Sequence, residues 1–252
     1  MRKTARDTWL VYERAMSQTV HNPVWVFIGL ANPLLFLFLF GPLLKHLPLG
    51  AAGASSWNIF VPGLLIQLGL FGAAFVGFSI IADWRVGVVE RLRVTPVSRL
   101  AILTGRLLRD VVTLLVQAAV LVLAGLAFGM RAPVTGVLIG FGFVAVVAVS
   151  LAAISYTVGL LTKSEDVLAP LLNMVMVPLL LLSGIMLPMT LGPGWLQGIA
   201  RATPFRYITD AMREAYAGHY ANAIMVEGIA VAVGLAALCL WIASRVFVRE
   251  NA

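Results

Sequence analysis

Charge is what this chain has least of. Only 12% of its 252 residues are charged, where a soluble domain carries about 25%. The shortfall is concentrated in apolar runs long enough to cross a hydrocarbon core of about 30 Å, which takes roughly 20 helical residues. With 61% hydrophobic residues and a mean hydropathy of +0.97, the composition excludes an ordinary soluble domain and predicts a polytopic membrane protein. Cysteine is almost missing too. Cys239 stands alone inside the last apolar run, so no intrachain disulfide can form, and nothing about redox compartment follows.

Catalytic apparatus is the next absence. No G-x-x-x-x-G-K-[ST] motif occurs. The nearest approach, "GLLTKS" at 159–164, lacks the glycine before the lysine, and a phosphate cradle needs those backbone amides. His21, His46 and His219 are isolated and flank apolar runs, so no metal-ligand spacing exists. The reading is a chain that is not an enzyme and binds no cofactor or metal. Ionisable residues are also missing from the middle of the expected spans, with Asp83, Asp110 and Glu227 placed at their ends. Ion-coupled carriers and channels need such groups at depth, and the halves show no inverted repeat.

What is there is a series of apolar runs. They predict membrane-spanning helices near 24–44, 57–81, 105–130, 134–161, 167–187 and 223–244, because backbone amides in lipid are satisfied only within a helix or a closed barrel. Gly125/Gly129 and Gly136/Gly140 are spaced for close helix contact, and Pro62, Pro170 and Pro178 for helix kinks or starts. The formal net charge of +7 reads as positive-inside bias rather than nucleic-acid binding. With both termini cytoplasmic, 13 of the 18 lysines and arginines fall inside. These are Arg2 through Arg14, Arg85 through Arg109, Lys163, Arg245 and Arg249. Lys45, Arg131, Arg201, Arg206 and Arg213 remain outside. The full-length first run, behind a charged lead-in of some twenty residues, argues against a cleaved signal peptide.

Three connecting segments carry pattern. Residues 1–22 place Ala5, Trp9, Tyr12 and Met16 on one helical face and Arg6, Asp7, Glu13 and Arg14 largely on the other, as an interfacial amphipathic helix does. In the cytoplasmic segment 82–104, Val86, Val88, Val89 and Leu92 interleave with Arg85, Glu90, Arg91 and Arg93. That mixture does not sort into a wet and an oily face; it suits a compact knob seated in a protein cleft, or a plain loop whose arginines anchor to anionic headgroups. Thr95-Pro96 reads as N-cap and first helical residue of the next helix. In the external segment 188–222, Trp195, Leu196 and Ile199 form an apolar patch after Gly192-Pro193-Gly194. Thr203-Pro204 then opens a helix that Gly218 ends, with Arg206, Asp210 and Arg213 spaced for pairing. Two short helices dipping into the outer leaflet are expected there.

Two stretches, "ERLRVTPVSRLAILTGRLLRD" (90–110) and "LSGIMLPMTLGPGWLQGIARATPFRYITDAMRE" (182–214), resemble the ABC-2 family of transporter permeases, most closely its daunorubicin/doxorubicin-resistance type. The resemblance covers the whole length as a single transmembrane domain, 1–252. It implies an all-α membrane protein with six transmembrane helices, an N-terminal interfacial helix and short re-entrant helices between helices five and six. It also implies that Arg85, Val89, Glu90, Arg91, Leu92, Arg93, Thr95 and Pro96 form a coupling helix, seated on a separate cytoplasmic ABC ATPase present in two copies. That ATPase would hold the ATP and magnesium, and a second permease, an identical copy in a homodimer, would complete the pathway in the cell inner membrane.

The resemblance sets spans two and five along that pathway. Gln67, Phe71, Phe75 and Phe78 share one face of span two, and Asn173, Val177 and Gly184 one face of span five. An uncharged, partly aromatic path suits amphipathic drugs or lipids, though a phenylalanine stripe is also what plain lipid or helix contact produces, and Asn173 also suits a helix–helix hydrogen bond. A polysaccharide exporter, an ion-coupled carrier and a non-transporting scaffold remain as alternatives.

Overall fold

The computed structural model describes residues 2–44, 56–87, 98–185, 189 and 192–250. Among these, every regular element is helical. In chain order they are α1 (Arg2–His21), α2 (Val24–Leu44), α3 (Ser56–Ala74), α4 (Gly77–Arg85), α5 (Arg99–Ala127), α6 (Val134–Thr162), α7 (Glu165–Leu182), α8 (Gly194–Ala200), α9 (Pro204–Ala217) and α10 (Ala223–Glu250). Five stretches are long and apolar enough to cross a membrane: Trp57–Arg85, Leu100–Ala127, Val134–Thr162, Glu165–Leu182 and Ala223–Phe247. The count is six if α1 and α2, bent by 66°, are taken together as one. The all-helical membrane protein that the composition called for is present, with five to six candidate spans among the described residues where six were expected.

The centre of the bundle is α6, which touches α3, α4, α5, α7, α9 and α10. Its buried side is built of small residues, among them Gly136, Gly140, Ala148, Ala152, Ser155 and Gly159. In lipid no hydrophobic force separates helix from solvent, so close van der Waals approach between backbones becomes the main attraction. Gly136 and Gly140 do what their spacing predicts: a Cβ on Gly136 would sit 2.1 Å from the Ala215 carbonyl of α9, and one on Gly140 would meet the Tyr216 ring at 2.7 Å. We expect Gly136→Ala to lower unfolding stability in detergent by about 2 kcal/mol, as overpacking does. Thermal denaturation followed by tryptophan fluorescence checks this, and an unchanged midpoint would refute the contact.

Gly129 departs from that expectation. It ends α5 at φ 100° with nothing within 4 Å of its would-be Cβ. The Met130 amide bonds to Gly125 O and the Gly129 amide to Leu126 O, the paired return bonds of a Schellman cap. Its conservation of space is needed by the turn, not by a neighbour helix.

Two other boundaries differ from the apolar runs. The helix expected from Thr95-Pro96 starts at Arg99, where extended Ser98 is the cap and its Oγ accepts from the Ala101 amide at 3.2 Å. That bond satisfies one of the orphan amides of the first turn. The expected span 167–187 is a shorter helix: α7 stops at Leu182, and Pro170 and Pro178 both lie inside it.

Helix α1 has three sides rather than two. It packs on α5, where Gly105 leaves room for the Thr8 carbonyl and Val11, and Thr8 and Thr104 hydroxyls meet at 3.2 Å. Trp9 is 58% exposed and its ring lies 5.2 Å from that of Tyr12, so the aromatic edge stays free. Asp7, expected on the wet face, is buried, because the packing face is turned away from the aromatic one.

Candidate functional site

The second span is broken. α3 is buried almost all round, as a helix apolar on every side must be. It ends at Ala74, and α4 restarts at Gly77 after Phe75-Val76. Ser155 of α6 stitches the gap. Its Oγ accepts from the Gly77 amide at 2.8 Å and donates to the Ala74 carbonyl, so one hydroxyl satisfies two of the backbone groups that a helix break orphans. Contact here is backbone on backbone: a Cβ on Gly77 would meet Ser155 O at 2.5 Å, and one on Gly159 would meet Gly77 O at 2.8 Å.

α4 then runs to the root of the arginine segment. There, Arg85 pairs with Glu165 at the start of α7 (3.2 Å), and Lys163, in a left-handed cap at φ 50°, lies 5.2 Å from the Trp84 ring centre. Arg85 and Glu165 are both well exposed, so their pairing contributes little to stability, but it sets this end of α4 against the α6–α7 turn. Of the expected coupling residues only Arg85 is described; Val89, Glu90, Arg91, Leu92, Arg93, Thr95 and Pro96 lie outside the described residues.

The expected pathway residues are arranged in part. Phe71, Phe75 and Phe78 form a ladder of rings with centroids 6.4 and 5.8 Å apart and planes within 24°. The ladder straddles the break. Gln67 sits on the same side in sequence but is buried, and its Nε2 donates to Asn32 Oδ1 of α2 at 3.3 Å. On α7, Asn173 and Val177 are exposed, and Asn173 donates to its own helix at Ala169 O rather than to another helix. Gly184 is not on that helix face: it is buried in the turn beyond α7, at φ 70°. α7 packs inward only through Leu168, Leu172 and Met176, one residue per turn, and leaves Met174 80% exposed.

Ionisable groups do enter the bundle: Asp110, expected at a span end, is buried on α5. α5 begins at Arg99, and Arg106, Arg109 and Asp110 stand within it. Arg109 Nε lies 2.8 Å from Asp110 Oδ1, and Tyr156 Oη of α6 donates to Asp110 Oδ2 at 2.5 Å while accepting from Arg109 at 3.1 Å. Arg109 also donates to Thr19 of α1, and Arg106 to Asp83 of α4 at 2.6 Å. Four helices thus meet on two arginines and two aspartates whose charges cancel. Charges in a membrane interior persist when paired in this way. No group of three His, Cys, Asp or Glu that could hold a metal occurs among the described residues.

Beyond α7, α8 leaves Trp195 and Ile199 exposed. Thr203 takes the N-cap position of α9, although its hydroxyl donates back to Ala200 O rather than capping. Thr203-Pro204 opens α9, Gly218 ends it at φ 89°, and Phe205, Ile208, Met212, Ala215 and Tyr216 are buried. Asp210 lies 3.7 Å from both Arg206 and Arg213. What the spacing does not disclose is the other side of Arg213, whose guanidinium donates to Ile59 O of α3 (3.2 Å) and to Gly184 O and Ile185 O beyond α7 (2.7 and 3.1 Å). Burial pulls its pKa down to about 10 against the opposing pull of Asp210, which leaves it protonated, with all donors in place, at neutral pH. Ser155, Tyr156 and these roles of Arg213 escaped sequence reasoning. The only signal for the first two is a polar pair inside a long apolar helix.

Comparison with known proteins agrees with this architecture. The family model described as "ABC-2 type transporter" matches residues 6–217. The daunorubicin resistance ABC transporter permease protein DrrB1 of Streptomyces coeruleorubidus is 31% identical over 251 residues, covering 95% of this chain and 85% of that protein. A Mycobacterium tuberculosis protein named "Probable doxorubicin resistance ABC transporter permease protein DrrC" is 24% identical over 235 residues, covering 92% and 85%. A match over most of the helical bundle, joined to such a relative, settles the family: this chain belongs to the ABC-2 type transporters, as a permease.

Proposed function

We propose that this permease is the membrane half of an ATP-driven exporter of hydrophobic or amphipathic compounds, energised by a separate ATPase docked on its cytoplasmic side. The observation that carries the reading is the broken second span. Across a two-residue interruption held by Ser155, a short helix still packed on α6 through Gly77, Ile80 and Ile81 leads toward the arginine segment, so a push on that segment reaches the phenylalanine ladder through α4. Residues 88–97, with Glu90, Arg91 and Arg93, are the contact with the motor, and the termini lie in the cytoplasm with the chain in the inner membrane. An ATPase shifts the inward-to-outward equilibrium only by binding the two states differently.

The substrate class rests on the drug-resistance names of the relatives and on the apolar character of the ladder. A second copy, facing the exposed side of α7, would complete the pathway opposite Phe71, Phe75 and Phe78, with two ATPases below and α8–α9 as a re-entrant cover outside. Buried Asp110 is the one observation favouring an ion-coupled carrier. Each of its carboxylate oxygens is engaged within the bundle, by Arg109 and by the Tyr156 hydroxyl, a pairing that suits a structural tie better than a proton carrier.

The test is to copurify the chain with its native ATPase, reconstitute the complex in vesicles and compare Glu90→Ala and Arg93→Glu with the parent. Drug transport is expected to fall about tenfold, equivalent to about 1.4 kcal/mol of lost coupling, while ATP hydrolysis persists. Unchanged transport in both variants would remove the coupling assignment. Transport that continues without the ATPase and follows a proton gradient would favour the carrier.

A further inference from the structure

Between α1, α4 and α5 lies a cavity of about 90 Å³, on a side of the bundle that the transport reading does not use. Its polar lining is Arg14 and Gln18 from α1, Ser79 and Asp83 from α4, and Arg106 and Arg109 from α5. The cations here are not equivalent. Arg109 is consumed by Asp110, Thr19 and Tyr156. Arg106 spends one nitrogen on Asp83 and has further N–H groups, of the five a guanidinium carries, to offer. Arg14 has no counter-ion or hydrogen-bond partner among the described residues. The single carboxylate in the lining, Asp83, is already neutralised by Arg106 at 2.6 Å. One uncompensated positive charge, sharing the lining with a second arginine that has unused donors, therefore faces a partly open space large enough for a small oxyanion.

We propose that this cavity binds a phosphate-type oxyanion, supplied by the headgroup of an anionic phospholipid. Arginine forks match phosphate oxygens in pairs, and two guanidiniums converging from α1 and α5 would hold such a group between them, with the Ser79 hydroxyl as a further donor. The lipid is favoured over free phosphate by what surrounds the cavity. Val11 and Ile102 give it an apolar wall. The same helix that contributes Arg14 carries the exposed Trp9, its ring tilted against that of half-buried Tyr12, and such rings settle at headgroup level. A lipid seated there would bridge α1 to the α4–α5 pair, the elements that flank the arginine segment.

The full-length chain, purified in detergent, is offered phosphatidylglycerol or phosphatidylcholine, and bound lipid is counted by native mass spectrometry. The parent is expected to retain phosphatidylglycerol over phosphatidylcholine. Arg14→Gln is expected to retain about fivefold less of it, the effect of one arginine near an anionic surface, with an unchanged melting temperature because Arg14 is exposed. Arg201→Gln removes an equal charge from an exposed site remote from the cavity and should retain lipid as the parent does. Equal retention by the parent and Arg14→Gln would overturn the proposal, as would equal loss from both variants, which would mean general attraction. Displacement of phosphatidylglycerol by micromolar inorganic phosphate would overturn the lipid as the source.

Discussion

Asp110→Leu is expected to destabilise the folded chain by about 4 kcal/mol, the cost of leaving one member of a buried ion pair without the other. The guanidinium of Arg109 would then keep only the Tyr156 and Thr19 hydroxyls as hydrogen-bond partners, with Asp83 already paired to Arg106, and neither hydroxyl carries the charge that offsets its desolvation. Replacing both residues, Arg109→Leu with Asp110→Leu, should recover much of that loss, since a well-packed apolar pair in such a place is often as stable as the ions it replaces. Tyr156→Phe keeps the pair and removes two hydrogen bonds, and is expected to cost about 2 kcal/mol. Unfolding in mixed micelles with increasing denaturing detergent measures all three. If Asp110→Leu and the double replacement unfold together, the pair does not act as a unit and the tie between α5 and α6 lies elsewhere.

Arg213→Met is expected to cost about 3 kcal/mol. Methionine keeps most of the stem's packing but abandons the carbonyls of Ile59, Gly184 and Ile185, and a buried acceptor left without its donor loses about 1 kcal/mol or more. Two of those carbonyls lie where the chain leaves α7, so the damage should concentrate there. Hydrogen exchange is expected to rise in 183–185 and along α9 while α5 stays protected. Arg213→Lys separates charge from geometry. An ammonium restores the cation beside Asp210 but lacks the planar fork that reaches α3 and the end of α7 together, so it should recover less than half of the loss. Full recovery by lysine would mean that the charge alone matters and that the three carbonyls are incidental.

These two predictions mark a division in how the molecule is specified. The features legible from residue order are those written in short stretches. An apolar run with no charge for twenty residues has one low-energy form in lipid, and α6 and α10 follow their runs closely. Pro204 and Gly218 bound α9 by backbone geometry, with Thr203 at the N-cap position. The i,i+3 and i,i+4 spacing of Arg206, Asp210 and Arg213 fixes their proximity whatever else packs around them. The resemblance to ABC-2 permeases rested on such local stretches, and it held.

The features that residue order concealed depend on which helices become neighbours. Residue order puts Asp110 at a span end; tertiary pairing with Tyr156, 46 positions beyond it, lets it stand buried inside the bundle. Gly129 and Gly136 are alike in sequence, yet one ends a helix and the other admits a carbonyl of α9. Ser155 gives no sign in the chain that it holds Ala74 and Gly77 together across a broken span. Local energetics chose the helices. Complementarity between distant backbones, which no short window of sequence contains, chose where they break and where the buried charges meet.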